Sequence, residues 1–199
     1  MAVELELKAV VPDPAALRAR LADAGAIPGF HGLMTDRRYD RDGALGRRDE
    51  VLRVRRYWPA AGAERSEIAW KGPTQRSPEG YKTRVELTCE AGPAPDEPGP
   101  ILEALGYGVV HTIDRWVESW SLAGAALRIE WYPRMDVLLE VEGAPPSIEA
   151  AILATGLPRG AFTPDALIDF VRRYEPRAGR AAALALADLQ GEAPGWVTV

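Results

Sequence analysis

The sequence predicts an α+β fold in which strands with one charged face enclose a polar interior and helices are inserted at intervals. Three observations carry that prediction. Several segments alternate strictly between apolar and charged residues, the period of a strand with two unlike faces. Helix start and stop signals fall between and after those segments. The charges are also sorted by strand, with paired glutamates towards both ends and arginines or lysine in the middle, whereas a merely solvated face gains most from mixed signs.

The elements follow in order. "VELELKA" (3–9) sets Glu4, Glu6 and Lys8 on one face and Val3, Leu5 and Leu7 on the other. Two like charges roughly 7 Å apart on a sheet face repel, so the pattern calls for water or a cation between them. "PDPAALRARLADAG" offers Asp13 as N-cap, Pro14 at the first helical position, Leu17 and Leu21 on one face and Gly25 as terminator, which predicts a helix. Alternation returns in "VLRVRRYW" (51–58) and "SEIAWKG" (66–72), joined by "PAAGAER" as a hairpin connection. "KTRVELTCE", "IDRWVESWSL", "AALRIEWY" and "VLLEVEG" are further strands. The Pro/Gly-rich "AGPAPDEPGP" marks the midpoint and precedes a short helix at "ILEALGYG". Helices are expected at "SIEAAILATG", at "TPDALIDFVRRY" and in the Ala-rich "RAAALALADLQ".

Strand parity assigns the faces. Arg53 with Arg55, Glu67 with Lys71, Arg84 with Glu86, Arg128 with Glu130 and Glu140 with Glu142 share charged faces, while Leu52, Val54, Ile68, Trp70, Leu127, Ile129, Leu139 and Val141 take the other. Converging charged faces make a barrel whose lumen is a site. Carboxylate pairs on two strands can hold a hard divalent cation, and arginines and lysines can face an anion with many oxygens. Only three lysines are present, and Lys8 and Lys71 fall on charged faces, where a compact ammonium differs physically from a guanidinium fork.

Composition narrows the function. The 199 residues, 47% hydrophobic and 27% charged, suit one globular domain, and a net charge of −5 argues against a broad nucleic-acid surface. The partner expected is a small molecule. One cysteine, Cys89, excludes an intrachain disulfide and a multi-cysteine zinc site; it is expected as a small buried hydrophobe, and His31 and His111 make a poor metal pair. No signal peptide or long apolar span interrupts the pattern, so a cytoplasmic, non-membrane protein is expected, its oligomeric state open between monomer and homodimer.

These residues resemble the CYTH superfamily, the triphosphate tunnel metalloenzymes, which includes class IV adenylyl cyclases, thiamine triphosphatases and inorganic triphosphatases. The resemblance rests on E-x-E-x-K at Glu4, Glu6 and Lys8, "DRRYD" with Tyr39, "LRVRR" with Arg53 and Arg55, "WKGP" with Lys71, "TRVEL" with Arg84 and Glu86, Arg115, and "LLEVEG" with Glu140 and Glu142. It spans residues 3 to about 174 and implies an eight-stranded antiparallel β-barrel tunnel with helices packed outside. Its strands would run from about 3 to 142 and its C-terminal helices from about 145 to 191, within one domain over 1–199.

The resemblance also implies roles. Glu4, Glu6, Glu130, Glu140 and Glu142 would bind Mg²⁺ or Mn²⁺, and Lys8, Arg53, Arg55, Lys71, Arg84 and Arg115 would grip the triphosphate. Lys71 and Tyr39 would be catalytic, Tyr39 acting towards the attacking water. Glu130 stands where the family usually has Asp, and Ile113 and Asp114 stand where it commonly has Lys before the arginine matching Arg115, a contact that Arg128 could supply. Val51 replaces the tryptophan that stacks on thiamine, which disfavours thiamine triphosphate. The implied activity is metal-dependent hydrolysis of inorganic or nucleoside triphosphate. Class IV adenylyl cyclase and a non-catalytic triphosphate- or polyphosphate-binding module are the alternatives. Trp116, Trp120 and Trp131 fall on the face opposite Arg115 and Glu130 and are expected to pack against outer helices.

Overall fold

The computed structural model describes residues 2–92 and 98–196, apart from the side chains of residues 2–4 and 92. Its strands are β1 (Ala2–Val10), β2 (Ile27–Asp40), β3 (Val51–Pro59), β4 (Arg65–Lys71), β5 (Gln75–Arg76), β6 (Lys82–Gly92), β7 (Gly108–Leu122), β8 (Ala125–Trp131) and β9 (Leu138–Glu142). The helices are α1 (Pro14–Asp23), α2 (Pro98–Ala104), α3 (Pro145–Thr155) and α4 (Leu167–Ala178).

The sheet runs β1-β9-β8-β7-β2-β3-β4-β6, and antiparallel pairing of β1 with β6 closes it into an eight-stranded barrel; β5 adds a two-residue edge to β6. Closure removes the open strand edges that would invite aggregation. It also fixes two surfaces through strand parity. Outward-facing Leu7, Leu127, Ile129, Leu139 and Val141 pack with Leu17 and Leu21 of α1 and Ile148 and Ile152 of α3, forming the main apolar core outside the barrel. Trp131 is buried in that core, with Trp116 and Trp120 against it, as their parity predicts.

The helix signals behave as the physics requires. Asp13 Oδ1 accepts from Ala16 N at 2.9 Å, capping α1. α3 starts on two prolines and stops at Gly156, whose φ of 69° is the left-handed conformation that glycine adopts freely. No helix among the described residues is long and apolar enough to cross a membrane.

Two expectations are corrected, and one strand falls outside the segments expected. The Ala-rich segment 180–190 is not a helix: Ala183 bridges Arg134, Asp114 N donates to Leu184 O, and only Leu186–Leu189 forms a 3₁₀ turn. Backbone hydrogen bonds to the barrel here outweigh alanine's helix propensity. Cys89 is exposed, because it shares the outer face of β6 with half-exposed Leu87. The long strand β2 lies in a stretch without clean alternation, interrupted by Pro28, Gly29 and Gly32, and its pairing with β7 shifts register between Pro28 and His31 and again between Arg38 and Tyr39.

Candidate functional site

The inward faces enclose a cavity of about 560 Å³. Met34, Tyr57 and Val117, with Phe30 against them, fill one end of the barrel. Phe170 of α4 packs with Ile113, Tyr132 and Leu138 at the other, while Leu167, Ile168 and Val171 line the cavity.

The interior is organised around Asp36, which sequence reasoning missed. Arg55 donates to both its oxygens at 2.6 and 2.9 Å, Arg115 donates to Oδ2 at 3.1 and 3.2 Å, and Arg53 lies 3.7 Å away. Register explains the meeting: Asp36 sits directly opposite Arg55 on β3, and Arg115 lies opposite Met34 on β7. Burial alone would raise the Asp36 carboxyl, but Arg115, Arg55 and Arg53 overcome it and hold the group well below the ordinary carboxylate range. Arg115 also donates to Glu130 at 2.9 Å, and Tyr132 donates to the other Glu130 oxygen at 2.6 Å.

A second cluster spans β1, β6, β8 and β9. Lys8 Nζ lies 2.8 Å from Glu6 and 2.6 Å from Glu140; Lys82 also binds Glu6, and Arg128 reaches both Glu140 and Glu142. Burial pushes the Glu6 carboxyl upwards, yet the Lys8 and Lys82 ammoniums prevail and lower it below the ordinary range. On β3, β4 and β6, Arg53 reaches Glu67 at 3.1 Å, Lys71 reaches Glu86 at 2.7 Å, and Arg84 donates to Gly72 O at 2.6 Å and Asp49 O at 2.5 Å.

Glu6, Asp36 and Glu130 share a depressed folded-state value. Below about pH 4 the unfolded chain therefore binds more protons, so the stability these groups add is full above that value and falls as pH drops through the folded ones. Urea midpoints measured between pH 7 and pH 2.5 should stay high to about pH 4 and then fall steeply. A midpoint that declined evenly from pH 7 would contradict the pairing.

Solved structures share this architecture. The PH1819 protein of Pyrococcus horikoshii OT3 is 19% identical with a TM-score of 0.69, covering 85% of this chain and 98% of that one. A candidate adenylate cyclase of Vibrio parahaemolyticus is 14% identical with a TM-score of 0.69, covering 85% and 97%. HpAC1 from Hippeastrum, a candidate adenylyl cyclase described as having a dominant triphosphatase activity, is 16% identical with a TM-score of 0.60, covering 92% and 99%. The chain has the CYTH tunnel fold. No protein-family model matches its sequence, and no curated protein does.

Within this CYTH tunnel, Glu6, Lys8, Arg53, Arg55, Lys71, Arg84, Arg115, Glu130 and Glu140 all line the cavity, as parity requires. Glu142 lies opposite Glu6 and is paired with Arg128. Glu4 lies opposite Arg84 in the β1–β6 register; its side chain falls outside the described residues.

The carboxylate wall has the donor chemistry of a hard-cation site. Glu6, Glu140 and Glu142 on the adjoining strands β1 and β9 offer hard oxygen donors of the kind Mg²⁺ and Mn²⁺ prefer. They fit in donor class and placement, although among the described residues no three acidic or imidazole groups already converge. Glu130 carries Arg115 and Tyr132 on its two oxygens, so a cation there would have to displace those contacts, as it would displace Lys8 and Arg128 from Glu140.

Tyr39 is misplaced by sequence reasoning. Asp36 and Arg38 face inward, so Tyr39 faces out, buried with Val54 and Leu102 under α2. Its carry-over as a catalytic residue is therefore withdrawn. Tyr39→Phe should keep activity within about twofold, a change worth under about 0.5 kcal/mol; a hundredfold loss in kcat would restore it to the site. Lys82 was also missed, although it shares the β6 face of Arg84 and Glu86 and its parity was open to the same reading.

Proposed function

We propose that the chain is a CYTH superfamily hydrolase that cleaves a linear triphosphate, inorganic or nucleoside, with a divalent cation. The observation that carries this reading is the interior: lysines and arginines from β1, β2, β3, β4, β6 and β7 converge on one cavity whose β1–β9 wall is acidic. A cavity of that size suits a small polyanion.

Glu6, Glu140 and Glu142, with Glu4 two residues before Glu6 on the same strand, would hold Mg²⁺ or Mn²⁺. A bound cation of this kind neutralises phosphate oxygens and polarises phosphorus. The chain's own contribution is positioning and charge. Lys8, Lys82, Lys71, Arg84 and Arg53 would grip the oxygens with donors already fixed by neighbouring carboxylates, so little reorganisation accompanies the reaction. Arg55 and Arg115 are held by Asp36, so they act less as mobile contacts than as a fixed positive floor beneath the substrate. Leu167, Ile168 and Val171 would exclude water from one side, and Lys71 would follow the charge that develops on the transferred phosphoryl group.

The deciding experiment incubates the purified protein with Mg²⁺ or Mn²⁺ and either tripolyphosphate or ATP, and identifies the products. Phosphate release supports the reading. Cyclic AMP with pyrophosphate would make the protein a cyclase, and tight binding without turnover would make it a triphosphate-binding module; either result overturns hydrolysis.

A further inference from the structure

Most guanidiniums lining the cavity already have an anionic or carbonyl partner. Arg53, Arg55 and Arg115 share Asp36, Glu67 and Glu130; Arg84 donates to two carbonyls; Arg128 binds Glu140 and Glu142. Arg38 differs. Among the described residues its side chain makes no hydrogen bond and no ion pair, and its Nε–H is buried without an acceptor.

This position is costly for the protein to maintain. Burial disfavours the charged guanidinium, and Arg53 and Arg115 add like-charge repulsion that Asp36 only partly offsets. Register makes the crowding plain, because Arg38 lies directly opposite Arg53 on β3 and opposite His111 on β7, and all three line the cavity. A partly buried charge whose side chain lacks a partner is tolerated where something else supplies one. The row spans three neighbouring strands about 4.8 Å apart, so roughly 10 Å from end to end, which suits an anion carrying several charged oxygens.

We propose that Arg38 is the anion anchor of the tunnel: a phosphate group of the ligand supplies the partner that the protein withholds from it. The phosphate chain then lies along the β7–β2–β3 wall, on the side of the cavity away from the acidic β1–β9 wall. This rests on the triphosphate reading above and adds to it where the anion sits and which residue selects it. A guanidinium fork presents several donors to a phosphate at once, so Arg38 favours ligands with a terminal, doubly charged phosphate over carboxylates of equal size.

The test uses the full chain with the divalent metal chelated, so that nothing turns over, at constant ionic strength. Tripolyphosphate is titrated calorimetrically into the parent, Arg38→Gln, Arg38→Lys and Arg37→Gln, the last an exposed residue on the outer face. Thermal midpoints of the ligand-free proteins are measured alongside. The expected result is at least a tenfold rise in Kd for Arg38→Gln, partial recovery in Arg38→Lys, no change in Arg37→Gln, and a ligand-free midpoint for Arg38→Gln no lower than the parent's. A structural arginine would instead lower that midpoint. If Arg38→Gln binds like the parent while the parent binds tightly, the anchor is refuted and the triphosphate reading stands. If the parent binds no tripolyphosphate, the triphosphate reading fails, and inorganic phosphate decides the anchor: stabilisation of the parent that is lost in Arg38→Gln supports it, and equal or absent stabilisation in both overturns it. Should Arg38→Gln fail to fold, Arg38→Lys is read in its place; weakening of threefold or more supports the anchor and an unchanged Kd overturns it.

Discussion

Asp36→Asn is expected to destabilise the protein by about 3–5 kcal/mol, the cost of removing one partner from a buried ionic group. Asparagine keeps the shape and loses the charge, so Arg55 and Arg115 share at most one neutral acceptor at position 36, Glu130 is left as the carboxylate bonded to Arg115, and Arg53 loses part of its compensation. All three arginines are buried and meet water only from the cavity they line, so water replaces little of what is removed. Guanidinium unfolding at pH 7 should show a lower midpoint with an unchanged slope, and the thermal midpoint should drop by about 10 °C. Combining Asp36→Asn with Arg55→Met should recover part of the loss, since it removes a charge that would otherwise be stranded. If Asp36→Asn cost under 1 kcal/mol, the arginines would have found other partners and the hub description would be wrong.

Lys71→Arg should lower turnover more than tenfold, at least about 1.4 kcal/mol in the transition state, with tripolyphosphate affinity changed less than threefold. Lys71 faces the cavity from the end of β4 and is held 2.7 Å from Glu86 on β6. An ammonium on a flexible stem can follow a phosphoryl oxygen as charge builds, whereas a guanidinium is a wider planar fork committed to fixed contacts. Single-turnover and steady-state measurements separate the two effects. Should Lys71→Arg turn over like the parent, Lys71 would be one of several interchangeable cations and its assignment to chemistry would lapse.

Much of the barrel was legible because seven of its strands alternate cleanly, and alternation alone decides which side chains face in. β2 was not legible: one proline, two glycines and two register shifts break its pattern, so no parity could be assigned to Asp36, Arg38 or Tyr39. That one gap explains both the missed hub and the misplaced tyrosine. The sorting of charges along the sequence also changed meaning on closure. Glu6, Glu140 and Glu142, sorted as like charges by strand, are interleaved in space with Lys8, Lys82 and Arg128. The repulsion implied by the first strand is therefore answered by the chain's own ammonium groups. Glu130, whose pattern also matched a ligand, is answered in the same way, with Arg115 and Tyr132 on its two oxygens.

The β1–β6 and β1–β9 seams set an order of assembly. β1 leaves the ribosome before both strands it pairs with, which begin at Lys82 and Leu138, so it must wait for a long stretch of chain before either edge is satisfied. Until then neither edge of β1 has a strand to pair with, and such distant pairings make folding slow. The acidic wall, which needs β1 and β9 side by side, is consequently among the last parts of the molecule to exist. A nascent chain stalled before β9 would leave Arg128 without Glu140 and Glu142 and Lys8 with Glu6 alone, a patch of unanswered positive charge at the open seam that a polyanion could occupy.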